Sequence, residues 1–216
     1  MAEVNAFSQR ELEVPSLVLP KVGVPLNAAI FVGREFAQPG ASPLATKKGV
    51  EYRDRDGRVR LEETSNVGDT IQLIDIRAGS RIILFPSIKR AVRFRFRPSE
   101  PGVSFTSGTI AALGAGSKTL ISQVLGSRII DGIEFDGELT TATLVANPAL
   151  VAREECWYSQ ALGLIGLIVS SGPERRTTAR IQGIVREDPD HSLFQIPEGY
   201  EVQDVPSQVV PGAIPY

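Results

Sequence analysis

Residues 126–145 read GSRIIDGIEFDGELTTATLV, residues 153–187 read REECWYSQALGLIGLIVSSGPERRTTARIQGIVRE, and residues 188–202 read DPDHSLFQIPEGYEV. In the first of these, Ile133, Phe135 and Leu139 fall on one side of an extended chain, and Glu134, Asp136 and Glu138 on the other. Alternation of this length predicts a strand with one face buried and one in water. The run GLIGLIVS at 163–170 is apolar on both faces, and Gly163 and Gly166 leave room for close approach. That predicts a central strand covered on both sides. After Ser171-Gly172-Pro173, the residues Ala179, Ile181 and Val185 alternate with Arg176, Thr178, Arg180 and Gln182, so the two runs form an antiparallel hairpin. Asp188-Pro189 predicts a helix start, with Asp188 accepting from the first-turn N–H groups. Pro197 and Gly199 hold that helix to about a turn or two, which seats Leu193 and Phe194 in the core. Tyr200 to Val202 form a short last strand.

Working outward, residues 28–36 predict a first strand, and 38–48 a Pro/Gly/Ser loop ending in Lys47-Lys48. Residues 50–63 (VEYRDRDGRVRLEE) predict a hairpin. Asp56-Gly57 is the dipeptide that a two-residue type I′ turn favours. In that register Arg55 faces Arg58 and Arg53 faces Arg60, so four arginines share one face, with Glu51 and Glu62 at its far end. Tyr52, Val59 and Leu61 take the other face with Asp54. Residues 70–76 and 80–85 pair around Ala78-Gly79. Residues 89–96 alternate, with Val92, Phe94 and Phe96 inward and Arg93 and Arg95 outward. Residues 97–108 form a loop, and 109–125 (TIAALGAGSKTLISQVL) carry the helical character of the chain, weakened by Gly114 and Gly116.

The expected fold is mainly β: a strongly curved antiparallel sheet or open barrel of roughly ten strands with one helix packed on it. An N-terminal arm (1–27) precedes the curved β domain (28–204), and a Pro-rich tail (205–216) follows it. The 216 residues suit one domain, able to bury roughly 70% of its unfolded surface. A net charge of −2 creates no global attraction to nucleic acid or anionic membrane. The single cysteine excludes an internal disulfide and a cysteine-rich zinc site. No apolar run is long enough to span a bilayer as a helix. Residues 1–16 contain no signal-peptide h-region, which fits either a cytoplasmic protein or an exported one read without its leader.

The chemistry-bearing residues point away from catalysis. His191, the one histidine, lies between two aspartates in the predicted helical turn and reads as a surface residue. Cys156 alternates with Trp157 in a strand, without the His or helix N-terminus that activates a thiol. GAGSKT at 114–119 departs from the phosphate-loop motif, because Ser117 separates Gly116 from Lys118. Glu134, Asp136 and Glu138 meet the separation of about 5–9 Å used by glycosidases merely because they alternate on one strand. No G-x-S-x-G, H-E-x-x-H or nucleophile–His–Asp set is present. The least bland feature is arginine: Arg53, Arg55, Arg58 and Arg60, joined by Arg93 and Arg95, form a candidate site for an anionic ligand or partner. Guanidinium groups grip carboxylates and phosphates through paired hydrogen bonds. The plainer reading is a solubilising face balanced by Glu51 and Glu62.

YRDRDGRVR at 52–60, the Pro86–Phe94 segment, LGSRIIDGIEFDG at 125–137, CWYS at 156–159 and DPDHSLFQIPEGYEV at 188–202 follow one another in an order and spacing. That order resembles a group of uncharacterised exported bacterial proteins of acidobacterial type, over about residues 28–203. The arrangement of glycines before Trp157-Tyr158-Ser159 is also remotely similar to the lipoprotein-localisation carrier fold, a curved antiparallel half-barrel with helices over an apolar concave side. These resemblances imply an envelope, periplasmic or secreted location, and no particular activity.

Two functional expectations follow. The first is a non-enzymatic envelope protein, a carrier or scaffold whose apolar concavity takes a lipid or acyl chain. The second is a structural or interaction protein that self-associates through its sheet edges or its terminal arms. Neither calls for a cofactor, a metal or nucleic acid.

Overall fold

The computed structural model describes residues 17–36, 44–65, 68–97, 117–173 and 175–205. Twelve strands form one sheet: β1 (Leu26–Phe36), β2 (Leu44–Arg53), β3 (Val59–Ser65), β4 (Gly68–Asp75), β5 (Ser80–Phe85), β6 (Arg90–Arg95), β7 (Lys118–Ile130), β8 (Ile133–Leu144), β9 (Asn147–Ser159), β10 (Leu164–Ser171), β11 (Arg175–Val185) and β12 (Glu201–Val205). The order across the sheet is β12-β6-β5-β4-β3-β2-β1-β11-β10-β9-β8-β7. Two meanders, β1 to β6 and β7 to β11, are thus fused where β1 pairs antiparallel with β11. β12 adds parallel to β6, the other neighbours being antiparallel. The sheet is open, with β7 and β12 at its ends.

It is also strongly curved. β8 and β11 stand three strand spacings apart, roughly 14 Å on a flat sheet. Yet Asp131, in the turn that begins β8, accepts a hydrogen bond from the Ile184 N–H of β11 at 2.9 Å. The main core lies on Leu26, Ala28, Ile30 and Val32 of β1, Ala179 and Ile181 of β11, and Val59, Leu61 and Ile74 of the neighbouring strands. These are the alternate positions that pairing brings together, Ile30 opposite Ile181 and Val32 opposite Ala179. A second cluster, Leu73, Leu84 and Ala91, lies under Ile196 and Tyr200.

Several sequence expectations are corrected. The described residues form twelve strands where roughly ten were expected. Residues 44–48 are strand rather than loop. On β6 the fully buried side chain is Ala91, while Val92 and Phe94 are half-buried. The helix expected at 109–125 does not form over its described part: Lys118 to Leu125 lie in β7, paired along β8. There the Thr/Ile/Val content and a waiting partner strand outweigh a weak helical pattern. Residues 98–116, with Gly114 and Gly116, lie outside the described residues, as do 1–16 and 206–216. The helical turn is a single 3₁₀ turn, His191–Phe194, capped by Asp190, which accepts from the Ser192 N–H at 2.8 Å. Asp188 pairs instead with Arg55.

Candidate functional site

The hairpin β2–β3 does not have the two-residue turn expected. Gly57 N–H donates to the Asp54 carbonyl, Asp54 N–H to the Arg58 carbonyl, and Gly57 has φ of 84°. This is a type I turn closed by a glycine in the left-handed region, the three-residue hairpin loop. Asp54 stabilises it by accepting from the N–H groups of Asp56 (3.0 Å) and Arg58 (2.9 Å). The extra loop residue slips the ladder by one, and a slip of one exchanges faces. Arg53 now stands opposite Val59, and Tyr52 opposite Arg60. The single arginine face therefore does not exist.

Arg53 and Glu51 instead point into the core beside Val59 and Leu61, all four essentially buried. Glu51 accepts from the N–H groups of Leu17 (3.0 Å) and Val18 (2.5 Å). Arg53 donates to the carbonyls of Val24 (2.7 Å), Leu19 (2.6 Å), Gly163 (3.1 Å) and Leu162 (2.6 Å). Burial lowers the Arg53 guanidinium to about 10, with Glu51 pulling it back up. Together the two charges fasten residues 17–24 against the turn between β9 and β10.

The other arginines also meet partners from their own chain. Arg55 pairs with Asp188. Arg58 contacts Asp54 (2.5 Å) and His191 Nδ1 (2.7 Å) and covers the Phe194 ring at 5.3 Å. Arg60 binds Glu62 (2.6 Å) and the Leu193 carbonyl (2.6 Å). Arg93 and Arg95 each stand 3.7 Å from Asp204. Glu134, Asp136 and Glu138 remain an exposed strand face, and none of these six arginines pairs with them among the described residues. Asp54, Asp56 and His191 come close enough together to suit a cation. The Arg58 guanidinium already stands among them, 3.7 Å from Asp56.

A different place offers open room. β10 pairs with β11 only from Leu167 to Ser171. Towards its start, the partner of β10 is the N-terminal segment: Leu19 N–H donates to Gly163 (3.0 Å), and Ile165 N–H to Leu17 (2.8 Å). The sheet splits there, at a bulge in β10 between Ile165 and Leu167. Gly166 makes the bulge usable. A Cβ on it would lie 2.9 Å from Phe135 and 3.0 Å from Ile130, so both side chains pack directly on its backbone.

The result is a groove of about 370 Å³ between the Asp131-Gly132 turn and β10–β11. Ile130, Leu167 and Ile181 supply its apolar surface, and Arg128, Arg180, Asp131 and Gln182 its polar rim. Arg128 stacks on Trp157 at 4.0 Å and lies 3.9 Å from Glu155, and among the described residues its Nε has no hydrogen-bond partner. Arg180 lies over Phe31 at 5.4 Å, and among the described residues no carboxylate pairs with it. In the sequence Arg180 falls on a polar strand face, and no motif marks Arg128. The available signal was Gly166 in an otherwise apolar run.

No family model matches the chain, and no curated protein matches it either. Solved structures do. An uncharacterized conserved protein from Thermus thermophilus superposes with a TM-score of 0.51 at 9% identity, covering 85% of this chain and 91% of that one. A LolA superfamily protein from Nitrosomonas europaea gives 0.39 at 8% identity, covering 83% and 92%. The lipoprotein LppX from Mycobacterium tuberculosis gives 0.33 at 9% identity, covering 72% and 84%. The remote likeness to lipoprotein-localisation proteins expected from the sequence is therefore present among the structural matches. The class defined by the fold is a curved, open, mainly antiparallel sheet.

Proposed function

We propose that this chain is a non-enzymatic binding protein of the cell envelope whose groove over Gly166 takes an acyl chain with an anionic end. The observation that supports this reading is the pairing of an apolar floor with two guanidiniums whose hydrogen-bonding capacity is largely unused among the described residues. Ligand pockets of a few hundred Å³ combine apolar walls with a few convergent polar groups in this way. The envelope location rests on the sequence resemblance. The non-enzymatic reading draws on Cys156, whose thiol burial and the nearby Glu154 and Glu138 push up to about 12, and on His191, which contacts Arg58 rather than a nucleophile.

The test is fluorescence titration with cis-parinaric acid, alongside native mass spectrometry of protein purified from its own source. Arg180→Ser should weaken binding of the fatty acid by about tenfold, the loss of one charge-assisted contact. It should leave binding of the corresponding fatty alcohol unchanged. Leu167→Trp, which fills the groove, should abolish both. No binding to the wild-type chain, or binding indifferent to Leu167→Trp, would refute the groove as the site.

A further inference from the structure

The two ends of the sheet are guarded very differently. β12 is five residues long, and its Glu201 and Asp204 meet Arg90, Arg93 and Arg95 of β6. β7 is thirteen residues long and ends the sheet. Among the described residues no strand pairs with its outer side. Leu120 is 56% exposed, Ile121 64%, Val124 83% and Ile129 67%. A long apolar edge with unpaired backbone groups is a template for another strand.

The direction of those backbone groups follows from the ladder. Asp131 and Gly132 have φ of 51° and 76°, forming a two-residue turn flanked by Ile130 and Ile133. The flanking pair of such a turn exchanges hydrogen bonds, and bonded and non-bonded pairs alternate from there. Counting back through the one-residue bulge at Leu125 turns the N–H and C=O groups of Lys118, Leu120, Ser122 and Val124 away from β8. The same register puts these four side chains on one face, shared with Glu138, Thr140 and Ala142 of β8.

Charge then selects the occupant. β7 carries Lys118 and Arg128 and no acid, while the β8 residues behind its far half include the exposed Glu134, Asp136 and Glu138. An antiparallel copy of β7 brings Lys118 of each chain to the acidic end of the other. We propose that β7 is a self-pairing edge: a second copy of this chain docks antiparallel along it, about a two-fold axis at Ser122. Leu120 then stands opposite Val124 of the second copy, and both lose their exposure. Lys118 reaches towards Glu138 of the second copy. Such an interface is self-complementary, as a two-fold contact requires, and strand addition supplies main-chain hydrogen bonds along it.

Sedimentation velocity of the full chain over a concentration series tests this. The expected result is a reversible dimer that weakens as salt is raised. Ser122→Pro removes an outward N–H and leaves the β8 ladder intact, so it should give a folded monomer. Lys118→Glu should lower the association constant by about tenfold, two symmetric exposed ion pairs being reversed. Adding Glu138→Lys should restore it. Circular dichroism checks that each variant is folded. A wild-type chain that stays monomeric at every concentration overturns the proposal. So does an oligomer that neither Ser122→Pro nor Lys118→Glu changes.

Discussion

The β2–β3 half and the β8–β10 half of the sheet solve the same problem by opposite means. Both must cover a curved sheet. At β2–β3 the cover is the chain itself, held by charge: Glu51 and Arg53 fasten residues 17–24, while Arg55, Arg58 and Arg60 hold the segment 188–194. At β8–β10 the cover is apolar, with Phe135 and Ile130 on Gly166 and Trp157 under Arg128. In the first half the arginines are occupied by carbonyls and carboxylates of their own chain. In the second, Arg128 and Arg180 border open room. The number of arginines in a stretch is thus a poor guide to a binding site. What matters is whether the fold has already supplied their partners.

The contrast breaks most severely at Arg53. Arg53→Ala would leave Glu51 as a buried charge without its cationic neighbour, and would take the guanidinium donor from the carbonyls of Val24, Leu19 and Leu162, while the Gly163 carbonyl keeps the Leu19 N–H. The expected loss is about 3–5 kcal/mol in a urea titration. Hydrogen exchange should show residues 17–24 released first, and a loss near zero would mean that the clamp contributes little. A smaller effect belongs to the apolar half. Gly166→Ala forces Phe135 and Ile130 aside and should cost about 1–3 kcal/mol. Gly172→Ala, where a Cβ meets nothing within 4 Å, is the matched control and should be near neutral. Equal midpoints for the two variants would show that Gly166 is not tightly covered.

The smallest effect is on Cys156. Its folded value, about 12 against an ordinary 9.0, is raised first by burial and then by Glu154 and Glu138. Because the neutral thiol is favoured in the folded state, its stabilising contribution is complete below pH 9.0 and disappears as pH rises through about 12. The thiolate is the reactive form. Iodoacetamide should therefore label the native chain slowly even at mildly alkaline pH, and the denatured chain quickly. Fast native labelling would show the apolar half to be more open than its packing indicates.

Much of the sheet is legible in the sequence alone. Phe135 against Glu134 and Asp136, the apolar run around Gly166, and Ala179 and Ile181 against Arg180 each reported a strand and its buried face. Alternation records burial directly, and burial dominates strand stability. The remote carrier-like resemblance was legible too. The cap of the last helical turn was legible only in kind: an aspartate was expected, but Asp190 rather than Asp188 reaches the Ser192 N–H.

The sequence by itself determined a mainly β chain, the approximate places of most of its strands and which side of each is apolar, because those depend on residues two apart. Only the tertiary structure decided the register of β2–β3, the burial of Arg53 and Glu51, and the conversion of Lys118–Leu125 from expected helix to edge strand. Each depends on a partner distant in the chain. Glu51 lies thirty-four residues from Leu17, and Arg53 lies 110 residues from Gly163. A one-residue choice in the loop at Asp54–Arg58 moves every arginine to a different neighbour, and the local sequence is compatible with either loop.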